Sequence, residues 1–121
     1  MKPTVLIVED DARIAEAEQL ILKDMYSVTL ARDGEEGLNQ IKELKPDIVV
    51  LDVMMPKMNG FEVCKHVRED PDLAATKIIM VTSKTADRDE ADGMKLGADD
   101  YIMKPFEADE LLHVVKQVLM R

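Results

Sequence analysis

A chain of 121 residues, 46% hydrophobic and 34% charged, has the size and balance of one compact domain with a buried core, so residues 1–121 are read as a single unit. Its 25 acidic residues against 16 basic ones leave a net charge of -9, which opposes direct nucleic-acid binding, since that rests on Lys and Arg neutralising phosphates. No apolar run approaches the ~20 residues of a membrane helix, and MKPTVLIVEDD meets acid too early for a signal peptide, so a cytoplasmic chain with a buried, reduced Cys64 is expected.

In chain order, the run TVLIV (4–8) predicts a first strand and 12–24 an amphipathic helix, with Ile14, Ala17, Leu20 and Ile21 on its apolar side. YSVTLA (26–31) predicts a second strand whose polar alternation suits a sheet edge, followed by a helix at 34–44 carrying Leu38, Ile41 and Leu44. DIVVL (47–51) predicts a third strand, and 60–69 a helix with the stripe Val63, Cys64, Val67. KIIMVT (77–82) predicts a fourth strand, 86–96 a weaker helix interrupted by Gly93, YIM (101–103) a fifth strand, and 107–120 a helix bearing Leu111, Leu112, Val115 and Leu119.

Five β-α repeats argue for a flavodoxin-like, doubly wound parallel sheet, with the non-alternating strands one, three and four in its centre. Ligand sites in such sheets lie beyond the carboxyl ends of the strands where the order reverses. The sequence places Glu9, Asp10 and Asp11 there after strand one, Asp52 after strand three, Thr82 and Ser83 after strand four, and Lys104-Pro105 after strand five. Asp11, just before an amphipathic stretch, suits a helix N-cap. Like charges 4 Å apart repel by about 4 kcal/mol at an effective dielectric of 20, so Glu9, Asp10 and Asp52 call for compensation. A divalent cation plus Lys104 supplies three positive charges against three negative ones, and hard oxygen ligands favour Mg²⁺.

Two serines and two histidines, His66 and His113 both on predicted helices away from this edge, make a Ser-His-Asp arrangement improbable. No glycine-rich signature would cradle a nucleotide. What remains for Asp52 is nucleophilic capture of a phosphoryl group as an aspartyl phosphate.

With the pair Glu9-Asp10, LDVMMPKMNG around Asp52, MVTS ending at Ser83 and GADDYIMKPF from Gly97 to Phe106, the whole chain resembles the receiver domains of two-component response regulators, the small chemotaxis regulator among them. Thr82 lies 30 residues past Asp52, Tyr101 49 and Lys104 52, as in that family. The resemblance implies strand order 2-1-3-4-5 and a phosphoryl group passed to Asp52 from a sensor histidine kinase or histidine phosphotransfer protein. It implies Mg²⁺ on Asp10, Asp52 and the backbone carbonyl of Met54, with Glu9 holding metal waters. Lys104, aimed inward by a cis peptide to Pro105, would bond the carboxylate and then the phosphoryl oxygen, while Thr82 and Tyr101 form a switch pair and a small Ser83 leaves the donor room. The output is then a changed surface over the fourth predicted helix, fifth strand and last helix, offered to a downstream effector without membrane or direct nucleic-acid contact. Such a domain catalyses only its own phosphoryl transfer and autodephosphorylation.

Two places depart from the family pattern. Where its DNA-binding class carries an Arg on the last helix that pairs with an Asp like Asp100, this chain has Val114, which leaves the phosphorylation-dependent homodimer of that class open. Met54 and Lys84 stand where the family tunes dephosphorylation. An aspartate-nucleophile phosphatase is the alternative from the enzyme class, but it needs a second Asp where Met54 stands. A degenerate receiver serving as a scaffold is the other alternative, and the retained acid cluster argues against it.

Overall fold

The fold follows from five short apolar runs, the central three of them buried on both faces. In the computed structural model, which describes residues 2–83 and 97–121, they form one parallel sheet. The strands are β1 (Thr4–Val8), β2 (Ser27–Ala31), β3 (Ile48–Asp52), β4 (Lys77–Ser83) and β5 (Asp100–Lys104), in the order β2-β1-β3-β4-β5. That is the expected order. β2 lies at an edge, and its outward Ser27 and Thr29 account for its alternation. Asp52 belongs to β3 as its last residue rather than following it.

Three helices precede β4: α1 (Ala12–Leu22), α2 (Gly34–Leu44) and α3 (Gly60–Glu69). A C-terminal helix spans Ala108–Leu119. Each of the first three starts where a side chain satisfies free backbone N–H groups. Asp11 accepts from Arg13 and Ile14, Asp33 from Glu36, and Asn59 closes a reciprocal capping box with Glu62. α2 stops at Lys45, which takes the left-handed conformation (φ 46°). The helix expected at 86–96, and Lys84 with it, lie outside the described residues.

One face of the sheet packs Leu6, Val8, Val49, Leu51 and Met80 against α2 and α3 through Leu38, Ile41, Val63, Cys64 and Val67. The other packs Val5, Ile7, Val50, Val81 and Ile102 against α1 and the C-terminal helix through Leu22, Leu111, Val115 and Val118. Cys64 is fully buried, and that burial pushes its thiol up to about 11, which keeps it protonated.

The stripe expected on α1 is corrected. Its buried positions are Ala15, Glu18 and Leu22, while Leu20 is 62% exposed and Ile14 and Ile21 lie half-buried on the flank. The buried face is therefore turned to a side where a short residue and an acid conceal the apolar period. Leu44 of α2 is likewise half exposed. On the C-terminal helix Val118 is buried, with Leu112 and Leu119 at the flank.

Candidate functional site at the carboxyl edge

Strand register decides which side chains meet at the carboxyl edge. Val8 pairs with Leu51 and Asp52 with Val81, while Ser83 pairs with Lys104. Side chains alternate along a strand. Glu9, Asp52 and Lys104 therefore continue the face covered by α1 and the C-terminal helix, on which Ile7, Val50 and Ile102 sit. Met80 and Tyr101 share the opposite face, with Thr82 two residues beyond Met80.

Glu9 and Asp52 are buried, at 3% and 6% exposure, whereas Asp10 is exposed. Each of the three offers a carboxylate oxygen, and these oxygens lie within 4.8 Å of one another. The ammonium of Lys104 donates to Asp52 Oδ1 at 3.2 Å and to Glu9 Oε1 at 3.3 Å. Burial, then the hydrogen bond and charge of Asp52, push the Glu9 carboxyl up to about 8, against the pull of Lys104. Burial works against the Lys104 charge, but Asp52 and Glu9 outweigh it and hold the ammonium above its ordinary range. The Lys104–Pro105 peptide is cis.

The donor set fits a hard divalent cation: three carboxylates, one of them solvent-facing, and a Glu9 Oε2 that is buried without a hydrogen-bond partner among the described residues. Met54 follows in the exposed loop after β3. Thr82 is buried and its Oγ1 likewise has no hydrogen-bond partner among the described residues. Tyr101 packs half-buried against the α2/α3 core. Asp11 serves as the N-cap of α1, and both histidines lie exposed on helices away from the edge, as expected.

The β3–α3 loop is held by close backbone approach. Gly60 N–H donates to the Val53 carbonyl at 2.9 Å, and a Cβ on Gly60 would stand 2.5 Å from the Asp52 carbonyl oxygen and 2.9 Å from Val53 Cα. Because backbone cannot step aside as a side chain tip can, Gly60→Ala is expected to cost about 1–3 kcal/mol of stability. A urea midpoint equal to the wild type's would show that the loop relaxes freely.

Residues 5–116 match the response regulator receiver domain family. The chain belongs to that family. DltR, a transcriptional regulatory protein of Streptococcus agalactiae, is 52% identical over 109 residues, covering 89% of this chain and 48% of that protein. MtrA of Mycolicibacterium paratuberculosis, a DNA-binding response regulator, is 41% identical over 122 residues, covering 100% of this chain and 53% of that protein. The chain thus spans about half the length of these curated relatives. The crystal structure of a putative response regulator from Chloroflexus aurantiacus superposes with a TM-score of 0.95 at 39% identity, over the full length of both chains. This receiver domain therefore belongs to a two-component signalling system. Among the described residues, no helix is long and apolar enough to cross a membrane.

Sequence reasoning missed three features of this receiver. Glu18 of α1 is buried at 3% exposure, and burial pushes its carboxyl up to about 7. Arg68 of α3 bonds the Thr76 and Gly97 carbonyls and pairs with Asp99 at 2.8 Å, a clamp between residues 31 apart that no local pattern announces. Asp100 pairs with Arg121 at 3.0 Å.

Proposed function

We propose that this receiver accepts a phosphoryl group on Asp52 from the phosphohistidine of a sensor histidine kinase or histidine phosphotransfer protein. The observation that carries the reading is the nearly buried Asp52 carboxylate held by Lys104 at 3.2 Å beside two further acids. An Asp52 carboxylate oxygen forms the new O–P bond as the P–N bond of the donor breaks, and the electron pair leaves with the imidazole. Lys104, released from part of its bond to the carboxylate, follows the charge onto a phosphoryl oxygen. Asp10, Asp52 and the Met54 carbonyl would hold Mg²⁺, with Glu9 acting through water. Bound there, the ion would neutralise the charge on the transferring oxygens.

An acyl phosphate brings nearly two negative charges and three strong acceptors where one carboxylate stood. The Thr82 hydroxyl, whose Oγ1 has no hydrogen-bond partner among the described residues, would donate to it and Tyr101 would respond, altering the surface around β5 and the C-terminal helix for a downstream effector. A new hydrogen bond from Thr82 to the charged group is worth about 1.5–3 kcal/mol, up to roughly half of the about 5.5 kcal/mol that moves an equilibrium from 1:99 to 99:1, and Lys104 adds only the difference between its old bond and its new one. We read residues 1–121 as one phosphoacceptor unit that turns over no separate substrate, since Met54 stands where a phosphatase acid is required.

The test is the intact mass after incubation with acetyl phosphate and Mg²⁺. A species about 80 Da heavier is expected, absent in Asp52→Asn and with chelator, as one added phosphoryl group requires. An adduct that survives in Asp52→Asn would remove Asp52 from its role. No adduct in a folded wild type would favour the scaffold reading.

A further inference from the structure

Glu18 of α1 is 3% exposed, and its Oε2 has no hydrogen-bond partner among the described residues. It lines the same groove as Lys104, between α1 and the segment 104–106. The carboxyl edge is balanced without it, since a divalent cation and Lys104 would supply three positive charges to Glu9, Asp10 and Asp52. Glu18 stands outside that set, as its oxygens are not among those gathered within 4.8 Å of one another and Lys104 bonds Asp52 and Glu9 instead. Arg13, the other base of the groove, has its side chain 93% exposed and turns to Asp11 at 3.8 Å. The elements packed on α1 add no further charge. β2 carries no titratable side chain, the C-terminal helix buries Leu111, Val115 and Val118, and its His113 is exposed. The charges acting on this fourth acid are those of Lys104, Asp52 and Glu9, and what neutralises it is a proton.

Phosphorylation upsets this balance. An aspartyl phosphate carries nearly two negative charges where the Asp52 carboxylate carried one, and Lys104 has to serve its oxygens. A carboxylate at Glu18 repels the added charge and competes for the ammonium, whereas a neutral carboxyl does neither. We infer that Glu18 is a positioning residue for phosphoryl transfer that acts through Lys104: protonated, it leaves the ammonium to the phosphoryl group, and ionised, it opposes the transfer. Burial pushes the Glu18 carboxyl up to about 7, with Lys104 pulling against and Asp52 adding to it, so both forms are populated near neutral pH. Transfer to Asp52 thereby responds to proton concentration in a range where ordinary carboxylates are fully ionised. The inference rests on the phosphoacceptor reading of Asp52.

Two measurements on the full chain at saturating Mg²⁺ test it. In the first, the initial rate of mass gain from acetyl phosphate is compared between wild type and Glu18→Gln from pH 5 to pH 8, the ratio cancelling the donor's own pH dependence. The ratio should climb from about one at pH 5 to roughly tenfold in favour of the variant at pH 8, the effect of one unit charge on another about 10 Å away at an effective dielectric of 20. A ratio constant across the range would overturn the inference, because altered packing alone changes the rate equally at every pH. The second measurement needs no variant. The carbon-13 shift of the Glu18 carboxyl is titrated in the wild type with and without beryllofluoride, the phosphoryl mimic, on Asp52. By reciprocity its midpoint should move up by about one pH unit when the mimic is bound. An unchanged midpoint would also overturn the inference, and it decides even if Glu18→Gln misfolds. No mass gain in the wild type at any pH would remove the phosphoacceptor reading and this inference with it, while mass gain at a constant ratio removes the inference alone.

Discussion

Glu18→Leu is expected to stabilise the metal-free receiver by about 3 kcal/mol more at pH 8 than at pH 5, given about 1.36 kcal/mol per pKa unit. The Glu18 carboxyl is raised from 4.5 to about 7, chiefly by burial. Between those values the folded chain keeps the proton that the unfolded chain has lost. The unfolded state binds fewer protons there, so stability falls as pH rises, by about 1.36 kcal/mol per unit for this group. Glu9, raised in the same direction, adds to that slope. The wild type in chelator should therefore be more stable near pH 5 than near pH 8, the reverse of ordinary acid denaturation. Leucine removes the Glu18 part and fills an apolar site, shifting Tm by on the order of 10 °C at pH 8. Thermal unfolding at both pH values checks it; an equal shift at each would mean that ionising Glu18 costs the fold nothing.

The second large effect is expected at Lys104. Its ammonium touches both buried acids, at 3.2 Å and 3.3 Å. Lys104→Gln should slow phosphoryl transfer from acetyl phosphate roughly 10²–10³-fold, the cost of losing one preorganised charge donor to the transferring oxygens. The same change leaves Glu9, Asp10 and Asp52 with less neutralisation, so Mg²⁺ should bind more tightly, by roughly tenfold for a screened unit charge at this range. Opposite movement of the two quantities separates a charge role from collapse of the site. Weaker Mg²⁺ together with slower transfer would indicate that Lys104 chiefly holds the acids in place. Titration of Mg²⁺ beside the phosphorylation rate distinguishes these results.

The central strands were legible because parallel strands buried on both faces leave unbroken apolar runs, and two of those runs end visibly on Glu9 and Asp52. Alternation in β2 showed its edge position for the same reason. Helix faces were harder to read. In α3 every buried position after Gly60 is apolar, Val63, Cys64 and Val67, and the stripe was read correctly. In α1 the buried set is Ala15, Glu18 and Leu22, while Ile14 and Ile21 lie half-buried and Leu20 is exposed. A buried acid on a helix has no periodic signature. The 3₁₀ turn Pro71–Leu73 did have a local signal, an Asp70 cap followed by proline, that apolar patterning overlooks. The Arg68–Asp99 clamp depends on two distant segments meeting and left none.

The all-parallel sheet also bears on how the molecule comes into being. Even its shortest-range ladder pairs Ile79 with Asp100, 21 positions apart, and β1 meets β3 by pairing Val5 with Ile48, 43 positions apart. No hairpin can nucleate it, so chain closure precedes each ladder, and refolding should be slower than for a helical bundle of the same length. On the ribosome the acids of β1 and β3 emerge long before the lysine that neutralises them, which lies 95 residues past Glu9. Seating of the last strand beside β4 completes both the sheet and its charge balance, so a nascent chain short of Lys104 carries the acid cluster without its ammonium.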